Sequence, residues 1–91
     1  MKKKLFVSHP YSGDIEGNLI RIEKICSRLV EEGEYLPISP LHAFSFYRND
    51  EDRLDILSAC MELLEICHKA IFYYYGELSS GQKEELEMCM P

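Results

Sequence analysis

The residues whose side chains are best suited to catalysis or ligand binding fall in three short segments, each directly after a predicted β-strand. The segments are Ser8 to Asp14, Pro40 to Asn49 and Gly76 to Glu85. Their polar side chains are those of Ser8, His9, Ser12, Asp14, His42, Arg48, Ser79, Ser80, Glu84 and Glu85. Hydroxyls, imidazoles and carboxylates of this kind serve nucleophilic and acid-base chemistry, or hold a sugar or an anion.

The third segment has the clearest spacing. Ser79, Ser80 and Gly81 precede a predicted helix, where hydroxyls and free N–H groups can bind an anion or a sugar oxygen. Glu85 follows Gly81 by one helical turn, so its carboxylate can face the same cleft. Two interpretations stay open: Glu85 acts as a nucleophile or sugar clamp, or the segment is a capped helix with a solvated acidic face.

The histidines divide by position. His9 follows the first predicted strand and His42 the second, so both can reach one ligand, and a surface role is the alternative for each. His68 lies at the end of a predicted helix, where the helix dipole favours a cation, so we predict a structural role. The run Tyr73 to Tyr75 is expected in the core and at an interface, because alternate strand residues face opposite sides.

Hydrophobic periodicity predicts three strands that alternate with three helices. The predicted strands are Leu5–Val7, Tyr35–Ser39 and Ala70–Tyr75. The predicted helices run from Ile15 to Glu32, from a cap at Asn49 or Asp50 to Cys67, and from the Ser79–Gln82 capping box to Pro91. Gly33 is expected to form a left-handed cap of the first helix. Residues 40–49 show no period and are predicted to be a functional loop.

This alternation predicts an α/β fold with a parallel sheet in the order 2-1-3, the first strand being central. In an open parallel sheet, ligands bind outside the carboxyl ends of the strands, which is where the three polar segments lie. Three strands in a short chain leave two open sheet edges. We therefore expect a homodimer or a larger homo-oligomer.

Composition limits the classes of partner. The 91 residues suffice for a single domain, 1–91, and carry a net charge of −6 from 16 acidic and 10 basic residues. This balance argues against nucleic acid polymers and anionic membranes, which both favour clustered lysine and arginine. No apolar run approaches the ~20 residues of a membrane span. The apolar stretch after the basic start, Leu5–Val7, is too short for a secretion signal, so we expect a cytoplasmic protein.

The cysteines indicate neither a metal site nor disulfide bonds. They are Cys26, Cys60, Cys67 and Cys89. They form no CxxC pair and have no histidine at zinc-finger spacing, and three of them fall on apolar helical faces. We predict free, buried thiols and expect neither a metal nor a cofactor.

Three stretches, taken in order, resemble a known family. They are Phe-Val-Ser-His-Pro-Tyr-Ser-Gly-Asp (6–14), Leu-Pro-Ile-Ser-Pro-Leu-His-Ala-Phe (36–44) and Ser-Ser-Gly-Gln-Lys-Glu-Glu (79–85). They are similar to the small phage and bacterial branch of the nucleoside 2-deoxyribosyltransferase-like proteins, over nearly the whole chain. The resemblance implies a three-layer, flavodoxin-like (Rossmann-like) sheet, truncated here to about three strands.

The resemblance also implies a site for a nucleoside or nucleotide. Glu85 matches the glutamate that attacks the anomeric carbon in active relatives, which are transferases or N-glycosidases. A carboxylate is a sound nucleophile for an oxocarbenium-like centre. The residues expected to bind the ligand are Ser8, His9, Tyr11, Ser12, His42, Ser79, Ser80 and Gly81.

The chain departs from the family pattern at three places. Phe6 stands where active relatives have a tyrosine that supports the glutamate, and Cys60 stands where they have an aspartate. His68 follows Cys67, where the phage branch commonly has aspartate. The alternative function is therefore a catalytically inactive module that sequesters a nucleotide or a nucleotide-derived signal.

Overall fold

The computed structural model describes residues 1–10, 14–46 and 53–89. The elements are β1 (Lys3–Ser8), α1 (Ile15–Glu32), β2 (Tyr35–Ile38), α2 (Pro40–Ala43), α3 (Arg53–Glu65), β3 (Lys69–Phe72) and α4 (Ser80–Cys89). β1 pairs in parallel with both β2 and β3, which gives the sheet order β2-β1-β3. The predicted α/β fold, with its parallel sheet and strand order, is confirmed.

The pleat of β1 sends successive side chains into two different layers. Leu5 and Val7 pack with Ile22 of α1 and form the buried core on one face. Phe6 is completely buried, and Ser8 reaches α4 through a hydrogen bond to Glu85. Helix α3 packs against α4, so these two helices lie on the side of the sheet that Ser8 faces. The molecule is therefore a three-layer α/β/α arrangement with β1 at its centre.

Helix α1 has the bounds that the sequence predicts, and both of its ends have a physical cause. The Asp14 carboxylate caps the first turn by accepting a hydrogen bond from the Gly17 N–H at 3.1 Å. A Cβ atom at Gly17 would lie 2.0 Å from Asp14 Oδ2, so any larger residue would displace the Asp14 carboxylate from this cap. Gly33 ends the helix in the left-handed region at φ 76°, and its N–H donates to the carbonyls of Leu29 and Val30.

The sequence predicted an irregular loop over residues 40–49, but the first part of this segment is helical. Pro40 to Ala43 form the short helix α2, which begins because the Ser39 hydroxyl accepts a hydrogen bond from the His42 N–H and Pro40 has a helical φ. One helical turn is too short to produce a visible hydrophobic period. The predicted caps of the following helix, Asn49 and Asp50, lie outside the described residues.

The third strand is shorter than predicted. It ends at Phe72, although the Tyr73 N–H still donates to the Ser8 carbonyl at 2.8 Å. Beyond it the chain turns at Gly76, whose φ of 89° favours glycine, and Tyr75 pairs locally with Glu77. The tyrosine run is therefore divided between a strand end and a turn. Among the described residues, no helix has the length and apolar character to cross a membrane.

Candidate functional site

The carboxyl end of the central strand carries a buried serine–glutamate pair. Ser8 is the last residue of β1, and its hydroxyl lies 3.0 Å from Oε1 of Glu85 on α4. Only 2% of Ser8 and 6% of Glu85 is exposed to solvent. When the carboxyl is ionised, the serine hydroxyl donates this hydrogen bond. The two residues are 77 positions apart, so the contact depends on the complete fold.

The surroundings of Glu85 disfavour its charge. Burial raises the pKa of the Glu85 carboxyl, and the hydrogen bond from Ser8 lowers it in part. The thiol of Cys60 lies close enough to respond to this carboxylate. Burial, and secondarily the Glu85 charge, raise the pKa of Cys60 to about 12, so the thiol stays protonated at neutral pH. Glu85 is thus a carboxyl group in poorly solvated surroundings, beside a neutral sulfur.

The predicted capping box at the start of α4 is confirmed. The Gln82 N–H donates to the Ser79 hydroxyl at 3.2 Å, and the Ser79 N–H donates to Gln82 Oε1 at 3.0 Å. The other end of the same side-chain amide, Nε2, donates to the Tyr73 carbonyl at 2.7 Å. The sequence does not reveal this last contact, because its acceptor is a main-chain carbonyl that any residue would supply.

His9 follows Ser8 directly and lies in a different environment. It is 5% exposed, and its Nδ1 lies 2.8 Å from the carbonyl of Pro10, so Nδ1 carries a proton and donates. In the neutral ring, Nε2 then accepts from the hydroxyl of Tyr75, at 3.2 Å. The rings of Tyr73 and Tyr75 lie 6.4 Å and 5.6 Å from the imidazole, measured between centroids.

Tyr75 extends this cluster to helix α1. The Arg21 guanidinium lies 5.8 Å from the centre of the Tyr75 ring, a cation–π contact. Arg21 also donates to Asn18 Oδ1 at 2.7 Å and pairs with the Asp14 carboxylate at 3.3 Å. The cluster joins the loops after β1 and β3 to the first turns of α1. The sequence pattern did not indicate the roles of Asn18 and Arg21 or the contact of Tyr75 with His9.

The other predicted residues occupy several places. His42 is exposed, and its Nδ1 is hydrogen-bonded to the Ser39 hydroxyl at 2.8 Å. His68 joins strands, because its Nδ1 accepts from the Lys4 N–H at 3.0 Å while its own N–H donates to the Lys4 carbonyl at 2.9 Å. These contacts, one to the ring and one from the main chain, are structural, whereas the helix-dipole interaction on which the prediction rested is not found: α3 ends at Glu65, three residues before His68.

Of the predicted site residues, Ser8 and Glu85 are in direct contact, and Ser79, Ser80 and Gly81 begin the helix that carries Glu85. Tyr11 and Ser12 lie outside the described residues. A single cleft lined by all of these side chains therefore stays a prediction. Among the described residues, no group of three or more His, Cys, Asp or Glu is placed to hold a metal ion.

Fold and site together define a small α/β domain with a buried carboxyl–hydroxyl pair at the carboxyl end of its central strand. A family model described as "Domain of unknown function (DUF7768)" matches residues 3–90, and the chain belongs to this family. No curated protein and no solved structure gives a significant match. The function must accordingly be argued from the site itself.

Proposed function

We propose that this protein binds a nucleoside or nucleotide and cleaves or transfers its N-glycosidic bond through the carboxylate of Glu85. The observation that carries the proposal is the hydrogen bond between Ser8 and Glu85. It brings a buried carboxyl group to the edge of the sheet where parallel α/β domains bind their ligands. The resemblance of residues 79–85 to the deoxyribosyltransferase-like proteins supports the same assignment.

The reaction proceeds in two displacements. The ionised carboxylate of Glu85 attacks the anomeric carbon, and the bond from this carbon to the base nitrogen breaks. The base leaves with the bonding electron pair and takes a proton from solvent or a nearby acid. Water, or a second base, then attacks the same carbon and breaks the ester, which restores the carboxylate and releases the sugar.

Burial gives Glu85 a suitable environment for this role. A carboxylate removed from water is less stabilised by solvation. The Ser8 hydroxyl contacts Oε1, so the other carboxylate oxygen is the one proposed to attack. The neutral Cys60 thiol adds no competing charge. Ser79, Ser80 and Gly81, at the N-terminal end of α4, are proposed to hold the sugar or a phosphate.

A second candidate is a binding module without turnover, which sequesters a nucleotide or a nucleotide-derived signal. The observation that favours it is the enclosure of Glu85, of which only 6% is exposed. A nucleophile must touch the anomeric carbon, so neighbouring groups would have to move before attack. Phe6, fully buried in β1, and Cys60 supply no hydroxyl or carboxylate that would assist.

One experiment separates the two candidates. The protein is incubated with a panel of nucleosides and nucleoside monophosphates, and released base is measured by chromatography while binding is measured by calorimetry. Base release by the wild type that is lost in Glu85→Gln supports the enzyme. Binding without release supports the sequestering module, and a panel with neither binding nor release contradicts both.

We also propose that the protein self-associates. In the described part of the chain, β2 and β3 each pair only with β1, and the exposed side chains of Leu36 and Tyr74 lie in or directly after these edge strands. Light scattering at high micromolar concentration should give the mass of a dimer or a larger assembly. A monomer under these conditions contradicts the proposal.

A further inference from the structure

Gln82 is almost completely enclosed, and both ends of its side-chain amide are used. Only 2% of the residue is exposed. Its Oε1 accepts from the Ser79 N–H at 3.0 Å, and its Nε2 donates to the Tyr73 carbonyl at 2.7 Å. One hydrogen bond lies within the first turn of α4. The other joins that turn to the end of β3.

These contacts belong to a closed ring of linked residues, which starts and ends at Ser8. The Tyr73 N–H donates to the Ser8 carbonyl at 2.8 Å, and the Tyr73 carbonyl accepts from Gln82. Gln82 and Glu85 are three residues apart, which sets them on neighbouring positions of one helix face. Glu85 then returns to Ser8 through its carboxyl oxygen at 3.0 Å. The ring therefore joins β1, β3 and α4 at the residue that contacts the proposed nucleophile.

We propose that Gln82 is a positioning residue that fixes Glu85 against Ser8 by tying the first turn of α4 to the end of β3. The inference deepens the proposed function and rests on it for its catalytic meaning. Without the tie, α4 can shift along the sheet by a fraction of a turn. Displacing a reacting group by about 1 Å can cost about 100-fold in rate.

The choice of glutamine over glutamate at this position has a physical reason. Either residue completes a capping box, because either can accept from the N–H of the cap residue. Glutamine can also donate to a carbonyl, as Gln82 does to Tyr73, whereas an ionised glutamate cannot. Gln82→Glu therefore removes the tie to β3 wherever the new carboxyl is ionised, and it keeps the acceptor of the capping box.

The test is a double-mutant cycle on the pKa of the Glu85 carboxyl, measured by NMR with carbon-13 labelling. In the wild-type background, Ser8→Ala should raise this pKa, because the serine hydroxyl lowers it. In the Gln82→Glu background, Ser8→Ala should leave it unchanged, since the two groups no longer meet. Gln82→Met, which removes both hydrogen bonds without adding charge, should give the same result.

Lys83→Gln is the matched control, because it changes the net charge by the same amount on the neighbouring, exposed residue. It should preserve the full effect of Ser8→Ala. An equal effect of Ser8→Ala in the wild-type, Gln82→Glu and Gln82→Met backgrounds overturns the positioning role.

Where the wild type releases base, Gln82→Glu should lower kcat about 100-fold with little change in KM. An unchanged kcat also contradicts the inference. If the wild type releases no base, the proposed function fails, and the pKa cycle still decides the role of Gln82.

Discussion

Ser8 and His9 are consecutive residues, yet they occupy two opposite chemical environments. Within residues 1–10, 14–46 and 53–89, Ser8 makes one side-chain hydrogen bond, to a buried carboxyl group whose pKa is raised by burial. In the described part of the chain, that carboxyl has no ion-pair partner. His9 uses both ring nitrogens and lies beside the rings of Tyr73 and Tyr75.

The difference follows from the strand itself. Successive residues of a strand point to opposite faces, so Ser8 faces α4 while His9 joins the cluster that reaches α1. A polar cluster whose groups have hydrogen-bond partners stabilises the fold. A carboxyl group that is buried with few hydrogen bonds to offset the loss of water is typical of functional sites. We therefore propose chemistry for the Glu85 side and loop anchoring for the His9 side.

The largest expected effect is on turnover at the Glu85 side. Glu85→Gln keeps the size of the side chain but removes the nucleophile, and losses of ~10⁶-fold are known for such changes. Base release measured by chromatography should therefore disappear. Binding of a monophosphate, measured by calorimetry, should persist or tighten, because a repelling charge is removed.

Glu84→Gln is the control for this change. Glu84 is exposed on the same helix and points about 100° away from Glu85. It should leave base release near the wild-type rate. If Glu84→Gln is damaging and Glu85→Gln is harmless, the catalytic residue is misassigned by one position.

The next effect is on the stability of the His9 side. His9→Ala removes a buried imidazole and its two part-buried hydrogen bonds, to the Tyr75 hydroxyl and the Pro10 carbonyl, each of which contributes about 0.5–1.5 kcal/mol. The free energy of unfolding, measured in urea, should fall by that order. His42→Ala is the matched control, because His42 is an exposed histidine. Its free energy of unfolding should differ from that of the wild type by no more than about 0.5 kcal/mol. Equal effects at the two histidines would remove the structural role given to His9.

A smaller effect is expected at the first turn of α1, which supports the same cluster. Gly17→Ala would bring a Cβ atom to 2.0 Å from Asp14 Oδ2 and displace the cap, at a cost of about 1 kcal/mol that offsets a gain in helix propensity of similar size. At Gly81 a Cβ atom meets nothing within 4 Å, so Gly81→Ala should be neutral or stabilising by up to about 1 kcal/mol. The temperature of thermal unfolding should therefore be higher in Gly81→Ala than in Gly17→Ala, and equal temperatures would contradict the role of the cap.

The smallest effect is the pH dependence due to Glu85. Because its pKa in the folded protein lies above the ordinary value of 4.5, the native state binds more protons than the unfolded state between these two values. The free energy of unfolding should fall as pH rises through this window. In Glu85→Gln this decrease should be absent. Base release should rise through the same window, since attack requires the carboxylate.

Urea titrations and base-release assays across this pH range supply both measurements. If the free energy of unfolding depends on pH in the same way in the wild type and in Glu85→Gln, the surroundings of Glu85 do not disfavour its charged form. The opposite signs of the two pH trends distinguish a buried nucleophile from a simple stabilising carboxylate.

Local sequence signals were sufficient for much of the fold. The β-α alternation predicted the sheet order, Gly33 predicted the end of α1, and the Ser79–Gln82 spacing predicted the start of α4. These features depend on neighbours within a few residues or on general rules of chain connection. The sequence also placed Ser8 and Glu85 at the same edge of the sheet.

The rest depends on contacts between distant residues. His9 and Tyr75 are 66 positions apart, and Gln82 meets a main-chain carbonyl that has no sequence signature. The contact between Ser8 and Glu85 requires the pleat of β1 and the position of α4 together. The early end of β3 reflects the turn at Gly76, whereas the continuous aromatic run suggested a longer strand.

The most direct test of Glu85 as the nucleophile is to trap the covalent intermediate. A 2-deoxy-2-fluoro analogue of a nucleoside that releases base is incubated with the wild type and with Glu85→Gln, followed by intact-mass and peptide mass spectrometry. The fluorine slows the second displacement, so one sugar residue per chain should accumulate on the peptide that contains Glu85, and none on the variant. Release of base without an adduct, or an adduct on any other residue, would contradict the account.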